Sequence, residues 1–270
     1  MKRERDIKDY NFIGADLSML PRATERDVLI MPNGLAGETV GIDRYKAIVD
    51  ERAPEHVYAV ASDIYKIVQH EEGLRLLERS ITDNPEFGHF TRDLQVCDGG
   101  GFLKATYTFT EAQVEIRKGD FVHPQLVAFN SYNMRSVFAV ILGAWRQVCS
   151  NGAYVGIKSY VISRRHTTGL SIEDAAVNIK DAMHDFSIKT EIWKRWAEQE
   201  CTFAEYHQVM SGMSGMTEKE YSDVNREFDN YDALTVWMFF NILTAYATHR
   251  VTFARQHALS RAIAKAFQGV

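Results

Sequence analysis

The sequence predicts an α+β fold, in which an antiparallel β-meander sheet carries one internal helix and a C-terminal helical cap. Strand-type alternation and turn residues dominate the first two-thirds of the chain, whereas after residue 167 apolar residues recur every three or four positions. Strands and helices that are separated along the chain favour α+β over a doubly wound sheet. No Gly/Ser/Pro-rich linker divides the chain. We therefore predict a surface arm at 1–27 and one domain at 28–270, β-rich over 28–166 and helical over 167–270.

The first strands precede residue 111 and enclose the internal helix. Strand-type segments occur at 27–31, 38–49, 56–68, 87–98 and 102–110. The segment HEEGLRLLERSIT at 70–82 spaces Leu74, Leu77 and Ile81 by three and four residues, which predicts an amphipathic helix. The glycine triplet 99–101 joins two strand-type segments, so we predict a hairpin turn. A phosphate cradle, the alternative, would require a helix to follow it.

The strongest strand signal lies in the middle of the chain. Apolar runs at 126–130, 136–149 and 153–163 are separated by polar breaks, which predicts three consecutive antiparallel strands, and a further short strand is predicted at 114–117. Asn151-Gly152 indicates a hairpin turn, because both residues tolerate positive φ at little cost. The middle run is apolar on both faces, as expected of a central strand that is covered on both sides.

Helices dominate the last hundred residues. Residues 171–197 carry an apolar stripe with helical spacing, and Thr202-x-x-Glu205 and Thr217-x-x-Glu220 are capping-box patterns that open two more helices. The segment 231–249 is almost wholly apolar, which predicts a buried helix, and a terminal helix is predicted over 251–267.

The composition excludes several classes of protein. The net charge is −5, so any polyanion would have to bind a local basic patch. The three cysteines are far apart and the histidines lack metal-ligand spacing, so we predict no disulfide framework, no metal and no cofactor. No catalytic motif is recognisable, so we predict a non-enzymatic protein. The sequence has no apolar signal segment or membrane span, and we place it in the cytoplasm of a bacterial host cell.

Basic residues gather at the ends of the predicted meander. They are Arg135, Arg146, Lys158, Arg164, Arg165 and His166. They are either solvated strand ends or an anion-binding face, for which arginine is well suited because its planar fork binds phosphate bidentately. Tyr132 and Tyr154 either pack within the sheet or offer faces on which bases could stack.

Three polar residues interrupt the apolar segment 231–249. They are Asn241, Thr244 and His249. Buried polar groups are costly unless they are hydrogen-bonded. They therefore either bond locally or form a polar site with the Arg164–His166 corner.

Four segments occur in the order found in one protein family. They are YKIVQHEEGLRLLERSI at 65–81, LVAFNSYNMRSVFAVILGAWRQVCSNGAYVG at 126–156, RRHT at 164–167 and WMFFNILTAYATHR at 237–250. In these segments the chain resembles the phage- and plasmid-type proteins grouped as domain of unknown function 932. That family has a YxIVQNxEAF helix start and an NSHDGS stretch, so Tyr132-Asn133 stands here where the family has His-Asp. The resemblance implies a mobile-element origin and no settled activity.

The order of elements suggests a further likeness. A helix followed by an antiparallel meander and a packing helix is similar in outline to the single-strand annealing proteins of phages, which is a likeness of fold alone. Our first hypothesis is a nucleic-acid-binding protein that binds, and could anneal, single-stranded DNA. The alternative is a non-enzymatic protein-interaction module of a mobile element, such as an inhibitor of host defence with a host protein as its partner. An exposed edge strand would favour homo-oligomers under either hypothesis.

Overall fold

The structure is a computed structural model, and it describes most of the chain. The described residues are 10–11, 16–31, 39–83, 88–146, 151–154, 160–164, 175–213 and 215–270. In chain order the strands are β1 (Tyr10–Asn11), β2 (Ala23–Ile30), β3 (Val40–Asp50), β4 (Val57–Ser62), β5 (Phe90–Cys97), β6 (Phe102–Phe109), β7 (Val114–Arg117), β8 (Asp120–Ser131), β9 (Phe138–Arg146), β10 (Asn151–Tyr154) and β11 (Tyr160–Arg164). The helices are α1 (His70–Thr82), α2 (Ala175–Glu198), α3 (Phe203–Gly212), α4 (Glu218–Phe228), α5 (Val236–His249) and α6 (Phe253–Ala266).

The larger of the two sheets described here is antiparallel throughout and confirms the predicted α+β class. Its strands follow the order β1-β5-β6-β8-β9-β10, with β7 also paired to β8 and β11 also paired to β9. Sequential strands are mostly neighbours, as in a meander. The smaller sheet has the order β2-β3-β4 and is joined to the body by a small apolar cluster that includes Ile48, Ala61 and Tyr132.

Strand β9 confirms the prediction of a central strand covered on both faces. Alternate residues point to opposite sides of the sheet, and both sets are buried. Phe138, Val140 and Leu142 belong to the main core, which the sheet shares with the helices. Ile141 belongs to a separate small cluster on the opposite face, with Val127. Hereafter the side that carries Phe138, Val140 and Leu142 is called the core face, and the side that carries Val127 and Ile141 is called the second face.

The structure corrects four sequence-based boundaries. Strand β2 begins at Ala23, so the predicted surface arm ends before residue 27. Strand β8 extends back to Asp120, past Pro124. On one edge, β8 pairs with β6 from Gln125 onward and with β7 up to Val122. Proline is tolerated between them because no partner strand on that edge requires an N–H donor from Pro124.

The other two corrections concern the end of the meander. Asn151 and Gly152 already pair with Arg146 and Trp145, so they are strand residues and not a turn; the connection at 147–150 lies outside the described residues. The single strand predicted over 153–163 is described as two, β10 and β11, which pair with successive parts of β9.

The helix signals are confirmed where local chemistry determines them. Helix α1 has the bounds that the spacing of its leucines predicts. Both capping boxes form: Thr202 and Thr217 accept from the backbone N–H groups of Glu205 and Glu220. Helix α5 is buried along most of its length and begins at Val236 after an N-cap at Thr235, later than predicted. Within the described residues, no helix is both long and apolar enough to cross a membrane.

Candidate nucleic-acid interface

Arg146 lies inside the protein, within a polar network between the sheet and α5. Its Nε and Nη2 atoms donate to the two carboxylate oxygens of Asp120, each at 2.7 Å. The indole N–H of Trp237 donates to the same carboxylate at 2.9 Å. Burial alone would raise the pKa of Asp120, but the hydrogen bonds from Arg146 and Trp237 outweigh it and hold the pKa below its usual value. The prediction of Arg146 as an open phosphate ligand is therefore wrong, because Asp120 already neutralises its guanidinium.

Arg135 is exposed but is also paired with a carboxylate. Its Nη1 donates to Asp98 at 2.6 Å. Asn133 donates to the same Asp98 oxygen at 2.9 Å. Asp98 and Gly99 adopt positive φ in the turn between β5 and β6, so the glycine triplet forms the predicted turn, with no helix following it. Arg135 therefore ties two adjacent turns together.

The remaining predicted basic residues do not form one row with Arg146. Arg164 pairs with Phe138 at one end of β9, whereas Arg146 is at the other end, about 27 Å away at the usual rise per residue. Tyr154 is placed only as a strand position, opposite Gly143. Lys158, Arg165 and His166 lie outside the described residues. The predicted cradle of guanidinium groups is thus divided between two ends of the sheet.

Tyr132 is fully buried, so the prediction that it offers a stacking face is wrong. Its hydroxyl accepts from the backbone N–H of His70 at 2.9 Å and lies within donating distance of Gln69 Oε1 and Pro21 O, at 3.0 and 2.9 Å. Its ring stacks on His70, with centroids 3.9 Å apart. Tyr132 therefore joins the start of α1 to the end of β8.

The polar residues of α5 do not act as one site. Asn241 donates to the backbone carbonyl of Trp237 at 2.7 Å, and Thr244 donates to that of Asn241 at 3.2 Å. These bonds agree with the local-bonding alternative. Asn241 and His249 nevertheless line the same cavity as Arg146. The predicted approach of Arg165 and His166 to this helix falls outside the described residues.

That cavity is an open cleft of about 710 Å³, bounded by α4, one side of α5 from Met238 onward and the ends of β7 and β9. Its buried floor includes Arg146 and Asn241. Its rim carries exposed basic and aromatic side chains. These are Arg117, Arg226, Tyr231, His249 and Arg250. We call this cavity the α4–α5 cleft.

Carboxylates offset part of the positive charge in the α4–α5 cleft. Arg226 pairs with Asp223 at 2.8 Å, and its side chain is still 73% exposed. Arg117 approaches Asp120 to 3.5 Å, and its side chain is 47% exposed. Glu227 adds a second negative group to the rim. The four arginines of the cleft outnumber the three carboxylates Asp120, Asp223 and Glu227, which leaves a local excess of positive charge on a chain whose net charge is −5.

Comparison with protein families gives one match, to the family described as "Domain of unknown function (DUF932)", over residues 57–267. The chain belongs to this family. Neither the curated proteins nor the solved structures include a significant match. The matched range includes the residues that line the α4–α5 cleft, and it includes Tyr132 and His70. The match by itself assigns no activity to either place.

His70 belongs to the same buried polar network as Tyr132, on whose ring it stacks. His70 Nδ1 lies 2.9 Å from the side-chain nitrogen of Asn130, which can only donate, so we assign the ring proton to Nε2, which then donates to Gly100 O at 3.0 Å. The start of α1 and the end of β8 therefore meet in a buried polar network.

Sequence patterns pointed to His249 but did not reveal the arginines of the cleft rim. Arg117, Arg226 and Arg250 come from three distant segments and follow no shared spacing. Arg250 comes directly after His249, at the C-cap of α5, where a cation is favourable in any case because of the helix dipole. Only the tertiary fold brings these side chains together.

Proposed function

We propose that this DUF932 protein binds single-stranded nucleic acid and that the α4–α5 cleft is the binding site. The observation that carries the proposal is the clustering of exposed arginines and an exposed tyrosine around one cleft. Proteins that bind single strands without strong sequence preference combine a basic groove for phosphates with aromatic faces for bases. Annealing of complementary strands, in a mobile-element setting, is the activity that we infer from such binding.

The arginines of the cleft rim are better placed to bind phosphate than the basic residues predicted at the ends of the meander. Arg226 and Arg250 are exposed, and within the described residues Arg250 forms no ion pair that a phosphate would have to break. Guanidinium groups keep their charge at any physiological pH and bind phosphate oxygens bidentately. A phosphate can take the place of Asp223 as the partner of Arg226 at little cost in free energy, because exposed ion pairs contribute about 0–1 kcal/mol.

Tyrosine side chains supply the second component. Tyr231 is 42% exposed at the edge of the cleft. Tyr246 lines the cleft and is half-buried, and its hydroxyl donates to Asp223 at 3.3 Å, which leaves its ring anchored. Stacking of a base on an aromatic ring is worth about 1–3 kcal/mol per base and tolerates any sequence.

The double substitution Arg226→Gln and Arg250→Gln is expected to weaken binding of an oligothymidine of about 20 nucleotides by at least about tenfold at low salt. Each phosphate contact on a single strand contributes about 0.7 to the slope of log affinity against log salt, so the slope should fall by about 1.4. Fluorescence anisotropy with labelled oligothymidine, between about 50 and 200 mM salt, measures both quantities.

A matched control removes the same number of charges elsewhere. Arg44→Gln with Arg79→Gln replaces two exposed arginines that do not line the cleft, and it should leave affinity and slope unchanged. Equal losses in both double variants would show that net charge, and not the cleft, governs binding. Absence of binding by the wild type at low salt and micromolar protein would refute the proposal.

A second candidate function, the protein-interaction module, is favoured by the smaller sheet. Strands β2, β3 and β4 and the residue after β2 expose large apolar side chains. These are Leu29, Ile30, Met31, Val40, Tyr45, Val57 and Val60. Exposed apolar side chains can mark a protein interface, either with a host protein or with a second copy of the chain. Light scattering of the purified protein and recovery of one stoichiometric partner from host lysate distinguish the two, and a monomer that recovers nothing argues against both.

A further inference from the structure

The second face of the main sheet is polar in its middle. Thr91 lies opposite Thr108 and Asp93 lies opposite Thr106 in the β5–β6 pairing, and Lys104 lies on the same side of β6. An antiparallel sheet often has one polar face because that face meets water. This face is different, because its neighbouring residues Val127 and Ile141 on β8 and β9 are buried.

A cavity of about 400 Å³ lies over this polar area, between the sheet, the end of α5 and α6. We call it the Lys104 cavity. Gln256 of α6 closes one side: its amide nitrogen donates to the carbonyl of Thr248 at 2.9 Å, and its amide oxygen accepts from the Lys104 amine at 3.4 Å. The amine is thus held in place at the wall of a cavity large enough for a small ligand.

The Lys104 side chain is half-buried, and it shares the cavity wall with the carboxylate of Asp93. Loss of hydration lowers the pKa of the Lys104 amine, and the carboxylate of Asp93 only partly opposes this effect. A cation in this position gains from an anionic group that enters the cavity, because the new contact replaces lost hydration. Hydroxyl groups of the surrounding threonines can donate further hydrogen bonds to the same group.

One wall of the Lys104 cavity is aromatic. Trp145 of β9 lines it, and His123 packs behind Trp145 with ring centroids 5.1 Å apart. His123 is only 4% exposed, and neither ring nitrogen has a hydrogen-bond partner within the described part of the chain. Gln125, also in the wall, is oriented by its bond to Thr108 at 2.8 Å. The cavity therefore offers a flat apolar surface close to fixed polar groups.

We propose that the Lys104 cavity binds a small anion that carries a flat ring, with Lys104 holding the anionic group and Trp145 packing against the ring. A nucleoside monophosphate has this chemistry and suits the size of the cavity. The site is separate from the α4–α5 cleft, which shares none of its lining residues. It does not depend on the proposed binding of nucleic acid.

Isothermal titration calorimetry on the full chain tests the two components with separate probes. AMP carries both ring and charge, adenosine only the ring, and inorganic phosphate only the charge. We expect AMP to bind at least about tenfold more tightly than either of the other two. Nicotinate tests whether a carboxylate replaces the phosphate, and binding of either anion that depends on Lys104 supports the proposal.

Substitutions assign the two roles. Lys104→Met should weaken AMP binding by about tenfold or more and leave adenosine binding unchanged. Trp145→Leu should weaken both. Lys194→Met, which removes an exposed lysine of α2, is the matched control and should change neither. The melting temperature of Lys104→Met, compared with that of the wild type, separates lost binding from lost folding.

Two results would overturn the proposal: no binding of AMP or nicotinate at millimolar concentration, or equal AMP affinity in the wild type and Lys104→Met. The outcome is independent of the nucleic-acid proposal. The Arg226/Arg250 double variant should bind AMP as the wild type does, and Lys104→Met should bind oligothymidine as the wild type does.

Discussion

Replacing Asp120 with alanine is expected to lower the free energy of unfolding by about 3–5 kcal/mol, because it removes a buried carboxylate that is paired with the buried guanidinium of Arg146. The carboxylate is almost fully buried and accepts three hydrogen bonds, two from Arg146 and one from Trp237. Urea denaturation followed by circular dichroism measures the loss.

Two further variants test the mechanism. Asp229→Ala removes an exposed carboxylate after α4 and should change stability by less than about 0.5 kcal/mol. The double variant Asp120→Leu with Arg146→Met should be more stable than Asp120→Ala, because well-packed apolar residues can replace a buried ion pair. If Asp120→Ala alone were as stable as the wild type, the network would have no structural importance.

The same carboxylate makes stability depend on pH. The pKa of Asp120 lies below its usual value of 3.8 in the folded protein. Its contribution to stability is therefore complete above that value and is lost as pH falls through the folded-state pKa. In Asp120→Asn this part of the acid dependence should disappear, so the stability difference from the wild type should narrow below about pH 4.

Replacing Tyr132 with alanine is expected to cost about 3–5 kcal/mol, since it empties a fully buried site and removes the phenol ring stacked on His70. Tyr132→Phe isolates the hydroxyl. It leaves the backbone N–H of His70 without its bond to the phenol, and the expected cost is about 1–3 kcal/mol. Thermal and urea unfolding measure both. Tyr45→Phe, at an exposed tyrosine, is the matched control and should be neutral.

The stacked pair of His70 and Tyr132 provides a second test at this position. If the two side chains are energetically coupled, the double variant His70→Asn with Tyr132→His should lose less stability than the sum of the losses of the two single variants. A double variant whose loss is the sum of the two single losses would show that the positions are not coupled.

Local chemistry explains which parts of the fold the sequence predicts. The leucine spacing in α1 and the capping boxes at Thr202 and Thr217 depend on neighbouring residues only, and they form as expected. The pairing of Asn151 and Gly152 with β9 depends on a partner strand, and there a strong local turn signal proved wrong. Pro124 is tolerated in β8 because the neighbouring strand β6 pairs with β8 only from Gln125 onward and β7 pairs with it only up to Val122.

The candidate site was less predictable than the fold for the same reason. Arg146 was identified as basic, but its partner Asp120 is 26 residues away and joins it only across the β8–β9 pairing. Arg226 and Arg250 reach one cleft from separate helix ends. A cluster of positive residues in a sequence cannot distinguish neutralised arginines from accessible ones, because the nearest carboxylate is set by tertiary structure.

The Asp120–Arg146 pair also fixes the alignment of two strands. Because β9 is apolar on both faces, hydrophobic packing alone would discriminate poorly against a one-residue shift in the register of β9 against β8. Such a shift would turn the Arg146 side chain to the face of the sheet that Trp145 now occupies. Its guanidinium would then no longer reach Asp120. The pair thus works as a register lock at the far end of the hairpin, and its removal should produce misaligned, aggregation-prone chains in addition to lost stability.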